Sequence, residues 1–256
     1  MKINMQEFNG SVAGLSHADP AIRQKSVNGL AMYSSAEWLG TPDTVTDTVA
    51  ALLRALRLRG AAAPDGAFRA EAAKALGNIS TQSAAVVPEL VRLMQKDTDG
   101  RVRTEAVRAL GKIGAGAASA SRSIAAVLRD PRGGEALRGA AAWALARIDP
   151  SSAGTAASLQ AAACDPNGYV SVCAAEALWK VSSDAGRAVL ALAARLGDPA
   201  VGQAAAQALY RIGPAAKEAL PALLAALRAK DRLFRESVLL ALRKIDPQAL
   251  AQAQMS

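Results

Sequence analysis

The chain has 256 residues, of which 51% are apolar and only 4% aromatic, and it carries a formal net charge of +8. Much of the apolar fraction is therefore alanine, leucine and valine, and runs of β-branched residues with a period of two are few, so the sequence predicts an all-α protein. Cys164 and Cys173 are too few for a disulfide scaffold. No apolar stretch has the length of a membrane span or of a signal-peptide core, so we predict a soluble, cytoplasmic protein without membrane contacts.

One helical pattern recurs seven times along the chain, and each copy opens on an apolar anchor residue that is numbered here as position 1. The anchors are Ile22, Phe68, Val102, Leu137, Val170, Val201 and Phe234. Position 9 is Leu in every copy, and position 8 is Ala or Gly. At about 100° per residue, positions 1, 5, 8, 9 and 12 share one face of a helix, which predicts an apolar stripe that packs against neighbouring helices.

Each copy carries start and stop signals for its helix. An aspartate stands three residues before five of the anchors, as Asp19, Asp65, Asp99, Asp198 and Asp231, where its carboxylate can cap a helix. Gly114 and Gly213 are typical of helix ends. A second segment with helical apolar spacing lies between successive copies, so each repeat is predicted to be an antiparallel helix pair. A longer loop is expected between Tyr33 and Thr44.

One helix pair cannot bury its own apolar stripes, whereas a stack of pairs buries a continuous core. The recurring turn aspartate, apolar anchor followed by Arg, Ala-Leu step and terminal Ile-Gly or Ile-Asp resembles the HEAT repeat, in particular the HEAT-like repeats of bacterial proteins and phycobilisome lyases. The resemblance implies a right-handed α-solenoid of about seven helix pairs, which we expect to form one domain over residues 1–256.

The resemblance also implies a ladder of interactions between the turn aspartates and the arginines at position 2 of adjacent repeats. Its members would be Asp19, Arg23, Asp65, Arg69, Asp99, Arg103, Arg138, Asp231 and Arg235. Ser171 and Gly202 stand at position 2 of the fifth and sixth repeats, so the ladder is expected to be interrupted there.

The residues that carry enzyme chemistry are sparse. His17 is the only histidine, and it is interpreted as a surface or capping residue. The sequence has no phosphate-binding loop, no zinc spacing of cysteines and none of the His-Glu pairs that HEAT-type hydroxylases use for a di-iron centre. We therefore predict a protein that is not an enzyme and that has neither a cofactor nor a metal.

The candidate binding surface is formed by helix positions away from the apolar stripe. Position 7 or 10 is aromatic in three successive repeats, as Trp143, Trp179 and Tyr210, and position 11 is basic in five. The predicted binding residues are Trp143, Trp179, Tyr210, Arg147, Lys180, Arg211, Arg243, Arg108 and Lys112. Two alternatives stay open: the basic residues can complement helix dipoles, and the aromatics can be buried between adjacent helices.

Three functions fit these observations. The first is a non-enzymatic scaffold or adaptor that binds a peptide or protein segment in its concave groove. The second is nucleic-acid binding by a basic and aromatic face, similar to HEAT-like DNA glycosylases, in which Glu176 would be the candidate carboxylate unless it pairs with Lys180. The third, a bilin-lyase-like chromophore chaperone, rests on the resemblance of the repeats.

Overall fold

The computed structural model describes residues 5–33, 42–58, 64–79, 83–182 and 185–255, and these ranges contain helices but no β-strand. The helices are α1 (Met5–Gly14), α2 (Pro20–Met32), α3 (Pro42–Leu56), α4 (Gly66–Asn78), α5 (Ser83–Lys96), α6 (Gly100–Ile113), α7 (Ser121–Arg129), α8 (Glu135–Ile148), α9 (Ala153–Ala163), α10 (Gly168–Val181), α11 (Gly186–Ala194), α12 (Gly202–Ile212), α13 (Leu220–Ala226), α14 (Arg232–Ile245) and α15 (Pro247–Met255). Two 3₁₀ segments, Gly114–Ala120 and Gly213–Ala219, lead into α7 and α13. Most of the predicted loop between Tyr33 and Thr44, including Trp38, lies outside the described residues.

The chain contains two compact units, one comprising Met1–Ala126 with Arg147–Asp149 and the other Val127–Ala146 with Pro150–Ser256. The recurring pattern forms α2, α4, α6, α8, α10, α12 and α14, which are called the repeat helices below. In the first unit α4 packs between α2 and α6, and in the second unit α12 packs between α10 and α14. The predicted α-solenoid of stacked helix pairs is thus seen within each unit.

The apolar stripe of the repeat helices forms the core. All seven leucines at position 9 are at most 4% exposed, and the residues at position 5 are buried in every repeat. The anchors are buried from Phe68 to Val201, whereas Ile22 is 39% exposed. Ile22 belongs to the first repeat, where α1 takes the place of a preceding repeat helix and packs on α2. The stripe that the sequence predicted is therefore the packing surface.

Four of the five predicted aspartates cap their helices, whereas Asp198 accepts the Ala200 N–H in the turn before α12, which has no side-chain cap. Asp19, Asp65, Asp99 and Asp231 accept backbone N–H hydrogen bonds at the starts of α2, α4, α6 and α14. Each bond satisfies a donor in the first helical turn, where no helical carbonyl is available. Gly114 and Gly213 end α6 and α12 with φ values of 66° and 72°, a region that favours glycine.

The ion pairs between repeats differ from the ladder that the resemblance implied. The capping carboxylates bond to their own helices, and the arginines instead meet aspartates that lie five residues before an anchor. Arg69 donates to Asp97 at 2.7 and 2.8 Å, and Arg138 pairs with Asp165. Arg23, Arg103 and Arg235 bond to the backbone carbonyls of the turn before their own helices.

Both aspartates of these pairs remain ionised against the effect of burial. Burial favours the neutral carboxyl group, but the arginine hydrogen bond, one backbone N–H and the positive charge outweigh it and hold the pKa values of Asp97 and Asp165 below their usual range. The Arg138 and Asp165 side chains are only 8% and 11% exposed. This pair therefore contributes to the packing of the fourth repeat on the fifth.

Two terminal helices were not predicted from the repeat pattern. α1 packs on α2, and Phe8 of α1 and Leu15 of the following turn are buried; the Phe8 ring lies 5.7 Å from the ring of Tyr33. α15 packs on α14 and buries Leu250. Both sequences are short and weakly periodic, so packing on the neighbouring repeat, rather than local propensity, accounts for their helical form.

Candidate binding surface

The predicted aromatic residues lie in one compact unit and on corresponding faces of their helices. Trp143 is at position 7 of α8, Trp179 and Tyr210 are at position 10 of α10 and α12, and Leu240 is at position 7 of α14. Positions 7 and 10 are neighbours on a helix surface because they are three residues apart. These four residues are called the aromatic surface below.

The side chains of the aromatic surface are partly or largely open to solvent. Trp143 and Trp179 are half-buried, while Tyr210 is 41% and Leu240 53% exposed. In the same helices, the leucines at position 9 fill the space between repeats and are fully covered. Complete burial of the aromatics between repeats is therefore excluded, and Tyr210 and Leu240 are the most exposed of the four.

Four of the five basic residues at position 11 contact the preceding repeat. In the first compact unit, Lys112 Nζ donates to Asn78 Oδ1 at 2.8 Å, and Arg147 Nε donates to the Gly111 carbonyl at 2.9 Å. Partial burial of its ammonium group lowers the pKa of Lys112. The cation is therefore held against its neighbour at the expense of part of its hydration.

The second compact unit repeats this arrangement with different partners. Arg211 of α12 forms an ion pair with Glu176 of α10, and Lys244 of α14 lies over the Tyr210 ring, with Nζ 4.4 Å from the ring centre. All four cations are also in the last turn of a helix, where a positive charge is favourable. The basic stripe thus joins successive repeats, a role that the sequence analysis did not foresee.

The remaining predicted basic residues have different surroundings. Arg108 pairs with Glu105, three residues before it, at 2.6 Å on the surface of α6. Lys180 and Arg243 are exposed and make no ion pair among the residues that the structure describes. Among the predicted basic binding residues, Lys180 and Arg243 therefore have the charged groups that a partner could reach most easily.

The residues considered for catalysis are accounted for by local contacts. His17 is exposed, and its Nδ1 accepts the Asp19 backbone N–H at 3.0 Å. Glu176 pairs with Arg211 and not with Lys180, because the Arg211 side chain reaches it from the next repeat helix. Cys164 is exposed rather than packed, while burial raises the pKa of Cys173. Within the described ranges, no group of three or more His, Cys, Asp or Glu side chains is arranged to hold a metal ion.

One interacting residue, Arg195, escaped the sequence analysis. It follows α11, and its guanidinium donates to the Asp165 carbonyl at 2.5 Å and to Ser171 Oγ at 3.1 Å. Ser171 occupies position 2 of the fifth repeat, where other repeats have an arginine. Arg195 therefore supplies the guanidinium group that this repeat lacks at position 2. The only sequence signal for this role was the absence of an arginine at position 2 of the fifth repeat.

Comparisons with known proteins agree with this architecture. A family model for HEAT repeats matches residues 49–146 and 155–243. The complex of CpcE and CpcF of phycocyanin lyase from Nostoc sp. PCC7120 is similar in structure, with a TM-score of 0.59, 21% identity, and coverage of 90% of this chain and 92% of that chain. YibA of Escherichia coli is also similar, with a TM-score of 0.57, 16% identity, and coverage of 94% of this chain and 82% of that chain.

These structural likenesses are likenesses of fold, since the identities are low. Comparison with curated proteins gives no sequence match. No helix among the described residues is long and apolar enough to cross a membrane. Because the family model covers more than half of the residues, and because the repeat helices stack as the pattern predicted, the chain belongs to the HEAT repeat family.

Proposed function

We propose that the protein is a non-enzymatic interaction scaffold whose second compact unit binds a peptide or protein segment on the aromatic surface. A HEAT repeat fold is typical of protein-interaction scaffolds and is generally non-catalytic, because stacked helix pairs present extended surfaces of variable side chains. The fold supports this class of function, and the exposed side chains support this choice of site.

The observation that carries the proposal is the exposure of Tyr210 and Leu240 on neighbouring helices. They are 41% and 53% exposed, and the stacking of repeats is already completed by buried leucines. Exposed aromatic groups beside arginine and lysine have the composition of interface hot spots. Lys180 and Arg243 flank these aromatics with available positive charge, which favours a segment that is apolar with acidic neighbours.

The proposal is tested by selecting from a displayed library of random peptides on the purified full chain. The wild type is expected to enrich peptides that carry acidic and aromatic residues, and a Trp143→Ala/Trp179→Ala/Tyr210→Ala variant is expected to enrich none of them. The control is Leu190→Ala/Leu233→Ala, which removes two apolar side chains that are 56% and 63% exposed and lie outside the aromatic surface. Equal enrichment on the wild type and the triple variant would contradict the proposal.

Nucleic-acid binding is less well supported because much of the basic stripe is already engaged. Lys112, Arg147, Arg211 and Lys244 all contact a neighbouring repeat, and a phosphate backbone would have to displace those contacts. A DNA-binding protein loses affinity steeply as salt rises from about 50 to about 200 mM. We expect no binding of a short labelled duplex even at the lower salt, and salt-sensitive binding would favour this second function instead.

The likeness to CpcE and CpcF concerns the fold, so bilin handling stays a prediction from the resemblance of the repeats. It is checked by adding a free bilin to the purified protein. A shifted and intensified absorbance band of the bilin would support a chromophore chaperone. If the protein is a scaffold, we expect the bilin spectrum to stay unchanged.

A further inference from the structure

In five repeats, the arginine at position 2 donates to a backbone carbonyl in the segment that precedes its own helix. The donor–acceptor distances in these pairs are 2.7–2.9 Å. The pairs are Arg23 with His17, Arg69 with Pro64, Arg103 with Asp97, Arg138 with Leu128, and Arg235 with Ala229. In the fifth repeat Arg195 makes the equivalent bond to the Asp165 carbonyl. A guanidinium group is thus a regular component of the turn before a repeat helix.

The sixth repeat has no arginine at position 2. Position 2 is Gly202, and a Cβ atom placed there would lie 2.6 Å from the Leu196 carbonyl oxygen, so the backbone leaves no room for a side chain. Asp97 and Asp165 pair with the position-2 arginines of repeats two and four, whereas the residue at the corresponding place before Phe234 is Ala229. Both partners of an inter-repeat ion pair are therefore absent at this point.

A cleft of about 630 Å³ occupies this place. Its walls include the Leu196 turn, the alanines Ala226 and Ala229, and Phe234 at the start of α14. The volume falls in the range of protein sites that enclose small ligands. It is large enough for one long side chain together with part of its backbone.

The chemistry of the cleft suits a guanidinium on an aliphatic stem. Asp198 and Asp231 are among the residues that line it, as is Lys230. The alanine side chains offer an apolar wall for methylene groups, and Phe234 offers an aromatic ring on which a guanidinium can stack. The residues that line the cleft thus combine two aspartates with several alanines, in a chain of net charge +8.

We propose that this cleft binds the arginine side chain of a partner protein, in the place where other repeats hold a guanidinium of their own. The site is distinct from the aromatic surface. Gly202 and Tyr210 are separated by eight residues of α12, or about 12 Å along the helix axis. The inference therefore stands whether or not the aromatic surface binds a peptide.

Arg228 is the arginine whose place in the sequence would let it compete for the cleft. It precedes Phe234 by six residues, as Arg195 precedes Val201, but it is exposed and does not line the cleft. Replacing Arg228 by Ala is expected to leave binding of an added arginine unchanged or to strengthen it.

The direct test is a titration of the isotope-labelled full chain with N-acetyl-L-arginine amide, followed by NMR. The backbone amides of Gly197, Gly202 and Lys230 are expected to shift in a saturable way. N-acetyl-L-citrulline amide, which has the same shape without the charge, is the matched control and should bind at least about fivefold more weakly, as expected for loss of a charge-assisted hydrogen bond. Equal binding of the two probes, or the absence of saturable shifts at these amides, would overturn the proposal.

Three variants separate the site from an effect on folding. Asp198→Asn/Asp231→Asn keeps the turn and capping acceptors but removes both charges, and Ala225→Leu adds bulk at an exposed residue of the lining. Each is expected to weaken binding of the arginine probe by about fivefold or more with an unchanged melting temperature. Asp246→Asn removes a charge from a comparable capping aspartate outside the cleft and should bind as the wild type does. Wild-type affinity in the two cleft variants would contradict the assignment.

Discussion

Lys244 of the seventh repeat places its ammonium nitrogen 4.4 Å from the centre of the Tyr210 ring of the sixth repeat. The contact joins the two features that the sequence analysis weighed separately, the basic stripe and the aromatic residues. In the first compact unit the corresponding lysine, Lys112, reaches back to Asn78 of the preceding repeat. In four of the five repeats with a basic residue at position 11, that residue thus links two repeats, and its partner varies.

The link between Lys244 and Tyr210 is expected to contribute a small, measurable coupling. A double-mutant cycle with Lys244→Gln and Tyr210→Leu should give a coupling energy of about 0.5–1 kcal/mol in the free energy of unfolding, the usual range for an exposed cation–π pair. Urea denaturation of the four proteins measures it. Strict additivity of the two substitutions would show that the contact contributes nothing to stability.

The buried pair of Arg138 and Asp165 is expected to contribute much more. Asp165→Asn leaves a largely buried guanidinium without its counter-charge, which should cost about 3 kcal/mol at neutral pH. Glu236→Gln, which breaks the exposed pair with Arg232, is the control and should cost at most about 0.5 kcal/mol.

The cost of Asp165→Asn is also expected to depend on pH. The pKa of Asp165 is lower in the folded chain than in the unfolded chain, so its contribution is complete above the unfolded value near 3.8 and disappears as the pH falls through the folded value. Urea denaturation of wild type and variant at neutral pH and below about pH 4 should show the difference narrowing in acid. A difference that stays constant would contradict the ionised pair.

The close approach of α4 and α6 at Gly77 is expected to reject even a methyl group. A Cβ atom on Gly77 would lie 2.6 Å from Ala109 Cα, and backbone cannot yield as a flexible side chain can. Gly77→Ala should therefore destabilise the protein by about 1–2 kcal/mol despite the better helix propensity of alanine.

Gly10 of α1 provides the matched control for Gly77, since nothing lies within 4 Å of a Cβ placed there. Gly10→Ala should be neutral or stabilise by up to about 1 kcal/mol. Thermal unfolding of both variants measures the contrast, and equal effects would mean that the close approach does not determine the spacing of these repeats.

The helices and the face on which they pack could be predicted from the sequence because the signals for both are local. A capping aspartate, an anchor and a leucine at position 9 lie within about four turns of helix, and all seven leucines are buried. The partners across repeats were not predictable in the same way. Whether Arg69 meets Asp97 or Asp99 depends on which carboxylate is already used by a helix N-terminus.

The sequence indicated which residue types to expect at the candidate site, but it did not predict the contacts that these residues make. The aromatic residues at positions 7 and 10 were identified because they lie away from the apolar stripe, and the structure shows that they are partly exposed. The pairing of Glu176 with Arg211 was missed because it depends on the register of α10 against α12. The role of Arg195 and the cleft beside Gly202 were missed for the same reason.

The most direct test of the scaffold proposal is the affinity of one selected peptide, labelled and followed by fluorescence anisotropy, for the wild type and for the Trp143→Ala/Trp179→Ala/Tyr210→Ala variant. Loss of hot-spot aromatics should raise the dissociation constant by at least about thirtyfold, while Leu190→Ala/Leu233→Ala should leave it unchanged within about twofold. Equal dissociation constants for the wild type and the aromatic variant would contradict the account.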